Sequence, residues 1–448
     1  MPEATQKPYR GSEWKKWDLH FHTSSSYDYE GKSVTDEDII ASLKKAGIKV
    51  VAITDHHFID AQKIKNLKDL ARDDIVFLPG IEFCSDARGS EPIHFIGIFP
   101  ENCNADYIWN EINSKADIAK KKQAGKKDNE IYCDLEKTSK LIKSLGGIIS
   151  IHAGSKSNSI EKITNSLPVK MAEKEDIAKL VDIFELGQEK DQDGYIKKVF
   201  PKIGRYPMII CSDNHNAKVY KLKQSCWIKA DPTFEGLKQV KYEPEDRVRI
   251  QELKPEEKSD YNIIDRVEYK NFSGAEKQVV YFNQNLNSII GSRATGKSNL
   301  LRNIAFSIDP EQCRGKNVEL KDFLQLKDFK VFWRDKKENT LALGEDKGKG
   351  ILFIPQRYLG ELVYERGSQF DKFISSLFEN KEDFSQALQI YRKFENENIL
   401  EITSLIRELL AIRESGREKQ SKIKKLGKKE EIESEIKKID LKLNEINK

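Results

Sequence analysis

Residues Trp17–Thr23 read W-D-L-H-F-H-T, a short apolar-alternating run that ends in two histidines two positions apart. On a strand, residues i and i+2 point to the same side, so His20 and His22 share a face. Two imidazoles on one face at a strand end are the beginning of a metal site. For H-x-H alone, a surface strand with two incidental histidines is the plain alternative. The remaining histidines separate the two. The chain has seven, the others being His56, His57, His94, His152 and His215. Each lies at or just after a strand-like run, and none lies beyond residue 215 of 448. Histidines placed for packing or solvation would not avoid the second half of the chain.

Working outward, strand-like runs recur at Val50–Thr54, Ile75–Leu78 leading into Gly80–Phe83, Ile93–Phe99, Gly147–His152, Val181–Leu186 and Met208–Cys211. Helical stretches lie between them. Thr35–Ala46 has acidic residues early and Gly47 after it, which are start and stop signals. Strands alternating with helices predict a parallel α/β arrangement, and seven in one run predict a barrel over an open sheet. In such barrels the chemistry lies at the C-terminal strand ends. That is where His20, His22, Asp55, His56, Glu82, His94, His152, Asp213 and His215 fall.

The phrases I-T-D-H-H, G-I-E-F, S-I-H-A-G and C-S-D-N-H carry a family resemblance. About residues 14–240 resemble a PHP (polymerase and histidinol phosphatase) domain, a distorted seven-stranded βα barrel with a multinuclear metal site. The resemblance implies that His20, His22, Glu82 and Asp213 hold one metal at the catalytic centre. It implies that Asp28, His56 and His215 hold a second, and that Glu82 bridges to a third held with His94 and His152. Asp28 departs from the histidine that many members carry there. His57 matches no ligand position, and Glu185 reads as a residue behind the ligands. Imidazole with carboxylate suits zinc, manganese or iron better than calcium or magnesium. Two or three such ions would hydrolyse a phosphoester. The Lys120–Lys127 stretch reads first as a charged surface face and second as a phosphate contact.

Residues 241–260 are densely charged and carry two prolines, which marks a connector. A new unit then opens with strand-like runs at Ile263–Tyr269, Val279–Phe282 and Leu286–Ile290. Gly291, Ser292, Arg293, Ala294, Thr295, Gly296, Lys297 and Ser298 follow and match the phosphate loop G-x-x-x-x-G-K-S, with Asn299–Phe306 as its helix. Its backbone N–H groups would wrap the phosphates of ATP. Lys297 would reach the β- and γ-phosphates, and Ser298 would ligate Mg²⁺. Gly350–Pro355 reads as a strand ending at Gln356, which resembles the Q-loop of ABC-type ATPases. Ile399, Ile402, Ile406 and Leu409, then Ile432, Ile436, Ile439, Leu443 and Ile446, form a heptad seam. Ser415–Gly416 and Gly427 interrupt it.

This order resembles the N-terminal half of a structural-maintenance-of-chromosomes or RecF-like ATPase. No L-S-G-G-Q-like signature and no apolar run ending in Asp-Glu follows residue 300. The expectation is therefore a truncated chain or one half of a split protein, with ATP hydrolysis dependent on the other half. The expected domains are a phosphoesterase barrel over 1–240, a linker over 241–260, an ATPase lobe over 261–375 and an outgoing coiled coil over 376–448. The whole chain resembles the TrlF-type PHP-ATPases. That resemblance implies a nuclease acting on DNA or RNA, in phage defence or repair, controlled by ATPase heads that homodimerise around ATP.

Two alternatives stand beside it. One is a small-molecule phosphatase of the histidinol-phosphatase kind with a regulatory ATPase, which the ATPase half argues against, because a metabolic phosphatase needs no coiled-coil motor. The other is a nucleic-acid-binding ATPase scaffold with a silent barrel, which the intact ligand set argues against. Composition adds bounds. Hydrophobic residues at 38% supply real cores, and charged residues at 33% point to a long solvated helical segment. A net charge of +4 makes no whole-chain case for nucleic acid. Six cysteines without a C-x-x-C pair, a polar N-terminus and no long apolar run give the expectation of a reduced, cytoplasmic chain without membrane contact.

Overall fold

The computed structural model describes residues 10–447 apart from 32, 86–91, 163–166, 257, 271–275, 343–348, 357, 359 and 361–381. The chain forms two compact units, Met1–Arg314 with Glu319–Ile351, and Gly315–Val318 with Leu352–Lys448.

The first unit holds a nine-stranded sheet: β1 (Glu13–Phe21), β2 (Ile48–Ile53), β3 (Val76–Cys84), β4 (His94–Ile98), β5 (Ile148–Ala153), β6 (Ile183–Leu186), β7 (Met208–Ile209), β8 (Cys226–Ala230) and β9 (Val248–Ile250). Their order is β7-β6-β5-β4-β3-β2-β1-β8-β9. The pairs β1–β2, β2–β3, β5–β6 and β6–β7 are parallel. At one end the sheet closes on itself. The Asp213 N–H donates to the His20 carbonyl at 3.0 Å, and the His22 N–H donates to the Asn214 carbonyl at 3.1 Å. Toward the other end, β8 takes the free edge of β1 from Glu13 to Lys16. The result is a barrel whose mouth is sealed between β1 and the chain that follows β7.

One expectation is corrected here. The arrangement is not wholly parallel, because β4 runs antiparallel to both β3 and β5. His94 is the first residue of β4 and pairs with Cys84, the last of β3. The reversal is what brings His94 to the rim where the other strands end.

Side chains alternate along a strand, so each strand has an inward and an outward column. Trp17, Leu19, Val50, Leu78, Ile96 and Ile183 share one buried cluster, the barrel interior. Val51, Phe77, Phe95 and Phe184 belong to a second, which packs Ile39 and Leu43 of helix α1 (Asp36–Ala46) and Ile64 and Leu67 of α2 (Ala61–Ala71) against the outside. Followed toward the mouth, the inward columns run Leu78–Gly80–Glu82, Ile148–Ser150–His152 and Ile183–Glu185. Each begins apolar and ends in a buried carboxylate or imidazole at the mouth. In β1 a register shift between Asp18 and Phe21 changes the phase. It lets Leu19 join the interior while His20 and His22 also turn to the mouth.

α1 forms because Thr35 caps it with a reciprocal bond to Asp38, and it stops because Gly47 takes a left-handed φ of 76°. Gly80 sits where the barrel wall is tightest. A Cβ there would meet the carbonyl oxygens of Ile53 at 2.9 Å and Gly97 at 3.1 Å, both backbone atoms that cannot give way. Gly80→Ala should therefore cost about 1–3 kcal/mol, read as a lower urea midpoint at unchanged slope.

The first unit also carries a four-stranded antiparallel sheet of order β11-β10-β12-β13, formed by β10 (Ile264–Lys270), β11 (Lys277–Tyr281), β12 (Lys327–Trp333) and β13 (Glu338–Thr340). Val267, Phe329, Val331 and Trp333 pack against Ile304 and Ile308 of the helix Lys297–Ile308. Leu286–Ile290 and Gly350–Pro355, expected as strands, do not form them. An extended segment becomes a strand only when a neighbour satisfies its N–H and C=O groups. Neither segment pairs with a strand among the described residues: the carbonyls of Ile351 and Phe353 accept instead from the Gln312 and Lys316 side chains, and Leu286 and Ile290 are 85% and 89% exposed.

The second unit is dominated by a 45-residue helix, Glu382–Leu426, about 68 Å long at 1.5 Å per residue, and by a second helix, Lys429–Ile446. The expected interruption at Ser415–Gly416 does not occur. A single interior glycine costs about 1 kcal/mol, which a helix of this length absorbs. The break falls at Gly427, whose φ is 73°. The apolar seam positions Ile399, Leu409 and Ile439 are exposed. No described helix is long and apolar enough to cross a membrane.

Candidate metal centre

The barrel mouth gathers all nine candidate ligands. Glu82 stands at their centre, and its carboxylate faces five imidazoles. Oε2 lies 3.0 Å from His20 Nε2, 3.2 Å from His22 Nε2 and 3.4 Å from His56 Nε2. Oε1 lies 2.7 Å from His94 Nδ1 and 3.6 Å from His152 Nε2. The two oxygens thus turn toward different groups, which is the arrangement of a bridging carboxylate.

The first group is His20, His22, Glu82 and Asp213. The two Nε2 atoms are 3.0 Å apart, and Asp213 Oδ1 lies 3.2 Å from His20 and 3.4 Å from His22. A tetrahedral shell at about 2.1 Å from its ion has edges of about 3.4 Å, so the spacing fits one ion. The second group is Asp28, His56 and His215, with His22 beside them. Asp28 Oδ2 lies 3.2 Å from His56 Nε2 and 3.0 Å from His215 Nε2. The third is Glu82, His94 and His152.

Ring orientation supports the same reading. His152 Nδ1 donates to the Ser157 carbonyl at 3.0 Å and His215 Nδ1 to the Asp213 carbonyl at 3.1 Å. His20 Nδ1 donates to both oxygens of Glu185, at 3.1 and 3.0 Å. A carbonyl or carboxylate partner holds the proton on Nδ1 and leaves the Nε2 lone pair for an ion. The Nε2 of His152 is buried and has no hydrogen-bond partner among the described residues, an orphan that an ion would satisfy. The donor set therefore fits metal ions.

The electrostatics show the same demand for positive charge. Burial alone would lower the His22 imidazole, but hydrogen bonds to Asp213 and Glu82 raise it to about 9. Burial likewise opposes, and Glu82 overcomes it, in raising His94 to about 10. For Glu82 burial pushes up and the surrounding imidazoles pull it well below the usual range. His152 goes the other way, to about 3, through burial and the neighbouring Lys156. Metal ions compete with protons for these same lone pairs.

Glu185, read from sequence as a residue behind the ligands, faces His20 Nδ1 with both oxygens, and with His20 and His152 it also forms a group that could hold an ion. His57 lies in the turn after β2 and is buried, with both ring nitrogens lacking a hydrogen-bond partner among the described residues. Burial and His56 push it down to about 3, so it is neutral. Three neighbours were not singled out from sequence. Lys156, buried, pairs with Glu185 and lies 3.2 Å from Asp213 Oδ2. Cys84 Sγ lies 3.1 Å and Asn158 Nδ2 2.8 Å from His94 Nε2. Lys156 had a signal, four residues after the strand-ending His152, but a lysine in a loop carries no periodicity.

Residues Gly291–Ser298 form a loop leading into the helix Lys297–Ile308, with Gly296 left-handed at φ 89°. Lys297 Nζ donates to the carbonyls of Gly291 at 2.8 Å and Ser292 at 2.6 Å. Asn299 lies in the first turn of that helix. Gln356 belongs to the second unit, exposed in a turn.

No protein-family model matches the chain, and no curated protein matches it. Solved structures are similar to part of the chain. The lesion-specific endonuclease PfuEndoQ from Pyrococcus furiosus is 18% identical over 57% of this chain and 62% of that one, with a TM-score of 0.39. Endonuclease Q in complex with a 27-mer duplex substrate with an abasic lesion is 18% identical over 52% of this chain and 57% of that one, at 0.37. A proposed metal-dependent phosphoesterase from Bifidobacterium adolescentis is 13% identical over 50% of this chain and 95% of that one, at 0.34. The chain spans less than two thirds of the length of either endonuclease structure.

Proposed function

We infer that the chain is a metal-dependent phosphoesterase that cleaves a nucleic-acid backbone under the control of a nucleotide-binding lobe. The observation that carries the reading is Glu82, whose two oxygens face separate histidine groups in one barrel mouth. Two or three zinc, manganese or iron ions, bound there, would supply Lewis acidity toward a phosphate group. His20, His22, Glu82 and Asp213 would hold the first ion, Asp28, His56 and His215 the second, and Glu82, His94 and His152 the third. Glu185 fixes the His20 ring, and Lys156 balances the charge of Asp213 and Glu185.

On this reading the loop Gly291–Ser298 together with Asn299 would hold ATP with Mg²⁺, the heads would homodimerise around it, and Gln356 keeps the γ-phosphate-sensing role that its sequence context implies. Control of the barrel is supported by contacts within the first unit. Arg10 pairs with Asp265 of β10 at 2.5 Å, and Asn283 Nδ2 donates to the carbonyls of Arg10 at 2.8 Å and Ser12 at 2.9 Å. Arg10–Ser12 lead directly into β1, which ends at the His20–His22 pair. Asn283 lies eight residues before Gly291. Coupling requires that ATP favour one arrangement of these parts over another.

The test offers the protein labelled DNA, RNA and p-nitrophenyl phosphate with Mn²⁺ or Zn²⁺, with and without ATP. Cleavage of a polynucleotide is expected, with a rate that ATP changes about 5- to 150-fold, the span of ordinary coupling energies. Lys297→Ala should remove the ATP response. Turnover of the monoester alone would replace the polymer reading with the small-molecule one. An ATP response retained in Lys297→Ala would remove the nucleotide site from the scheme.

A further inference from the structure

The lysine-rich stretch 120–127 reads in sequence as an ordinary charged face, yet its place in the fold is specific. The Cys133 N–H donates to the Cys84 carbonyl at 2.7 Å, and Cys133 forms a parallel bridge with Ser85. Cys84 and Ser85 follow Glu82 directly at the end of β3. The chain from helix α3 (Ile118–Gln123) to Cys133 is thereby tied to the mouth beside the candidate ligands. Within it, Asp128 pairs with Lys122 at 2.7 Å. Lys120, Lys126 and Lys127 are exposed and form no ion pair among the described residues.

Two other features surround the same opening. The segment after His215 carries Lys218, Lys221 and Lys223, all exposed. Lys218 is held there by the Ser33 carbonyl at 3.1 Å. Tyr27 stands at the same mouth, against one of the candidate ligands. Its ring is 5.1 Å from that of His56, yet Tyr27 is 45% exposed. An aromatic ring that leans on a metal ligand and shows much of its surface to solvent offers a platform for a planar group.

We propose that the mouth holds one unpaired nucleic-acid strand, its flanking phosphates on the lysine lips and one base stacked on Tyr27. This rests on the phosphodiester reading above and adds strand state and contact residues to it. Phosphates attract lysines whatever the base, and stacking on an aromatic ring needs a base out of its duplex. Small monoesters would engage neither lip.

The experiment measures anisotropy of a fluorescein-labelled oligothymidylate with the metal-free full chain, so that binding is read without turnover. Wild-type hydrolysis of bis(p-nitrophenyl) phosphate with Mn²⁺ is measured separately and tests the diester chemistry alone. Tyr27→Ala should weaken oligonucleotide binding about fivefold to 150-fold, the range of base–aromatic stacking. Lys126→Gln with Lys127→Gln should make the salt dependence shallower by about 1.4 in log–log slope, about 0.7 per lost single-strand contact. A duplex of the same length should bind more weakly than the single strand. Unchanged affinity in Tyr27→Ala, an unchanged salt slope in the lysine pair, or equal binding of duplex and single strand would each overturn the proposal. Failure of diester hydrolysis in the wild type would instead strike the underlying chemistry.

Discussion

Glu82→Gln should strip the barrel of more than one metal ion and lower phosphodiester hydrolysis by at least about a hundredfold. Loss of a residue that merely supports a ligand already costs 10- to 100-fold in affinity or activity. Glu82 does more, because it belongs to two of the three groups and lies 3.4 Å from His56 of the remaining one. Glutamine keeps the shape but presents an N–H₂ to imidazole lone pairs and removes the charge that draws cations in. The fold should persist. The backbone bonds at this position, Glu82 N–H to Asp55 at 3.2 Å and His57 N–H to Glu82 at 3.0 Å, do not involve the side chain. Elemental analysis after metal-replete purification should find two or three ions in the wild type and at most one in the variant. A variant that keeps two ions and more than a tenth of the activity would show that Glu82 does not bridge.

Lys156→Met should destabilise the metal-free protein by about 3–5 kcal/mol, the usual cost of removing one partner from a buried ion pair. Lys156 is 7% exposed, and its ammonium lies between Glu185 and Asp213. Methionine keeps the apolar stem and loses only the terminal ammonium, so the deficit is mainly electrostatic. With ions bound, part of the lost positive charge beside Asp213 is replaced, and the penalty should shrink. Urea unfolding of both proteins, with and without Mn²⁺, reads the four stabilities. A metal-free loss below about 1 kcal/mol, or an equal loss in both states, would mean that Lys156 does not balance these carboxylates.

Much of this site was legible because its signals are local. H-x-H at a strand end, D-H-H after another and D-N-H after a third need only the period of two and a polar residue past an apolar run. The capping box at Thr35 and the stop at Gly47 are likewise complete within a dozen residues. Strand direction is different. Alternation looks the same in either sense, so the reversal of β4 and the reason His94 reaches the mouth were not visible. The phase shift in β1 was hidden too, since strict alternation sets Leu19 opposite the histidines.

Apolar runs misled where pairing was the deciding factor. Leu286–Ile290 and Gly350–Pro355 have strand composition, but composition does not supply a neighbour. Gly416 and Gly427 are the same residue type in similar surroundings, yet only the second breaks the helix, with Lys428 extended after it. The lysine at 156 acquires meaning only once Glu185 and Asp213, from later strands, stand beside it.

The seal of the barrel mouth has a consequence for how the chain folds. His20 and His22 lie on one side of that seam, Asp213 and His215 on the other, with almost the entire barrel sequence looped between them. Bringing such distant segments together costs on the order of 5 kcal/mol in loop entropy. The seam itself is stitched by two backbone bonds, from His22 and Asp213. An ion held by the first group would grip both edges at once and so act as a clasp on the ring. Long-range closure of this kind is the slow, late event in folding. The candidate ligand cluster is therefore also the place where the barrel finishes, and where, emptied of ions, it would first come undone.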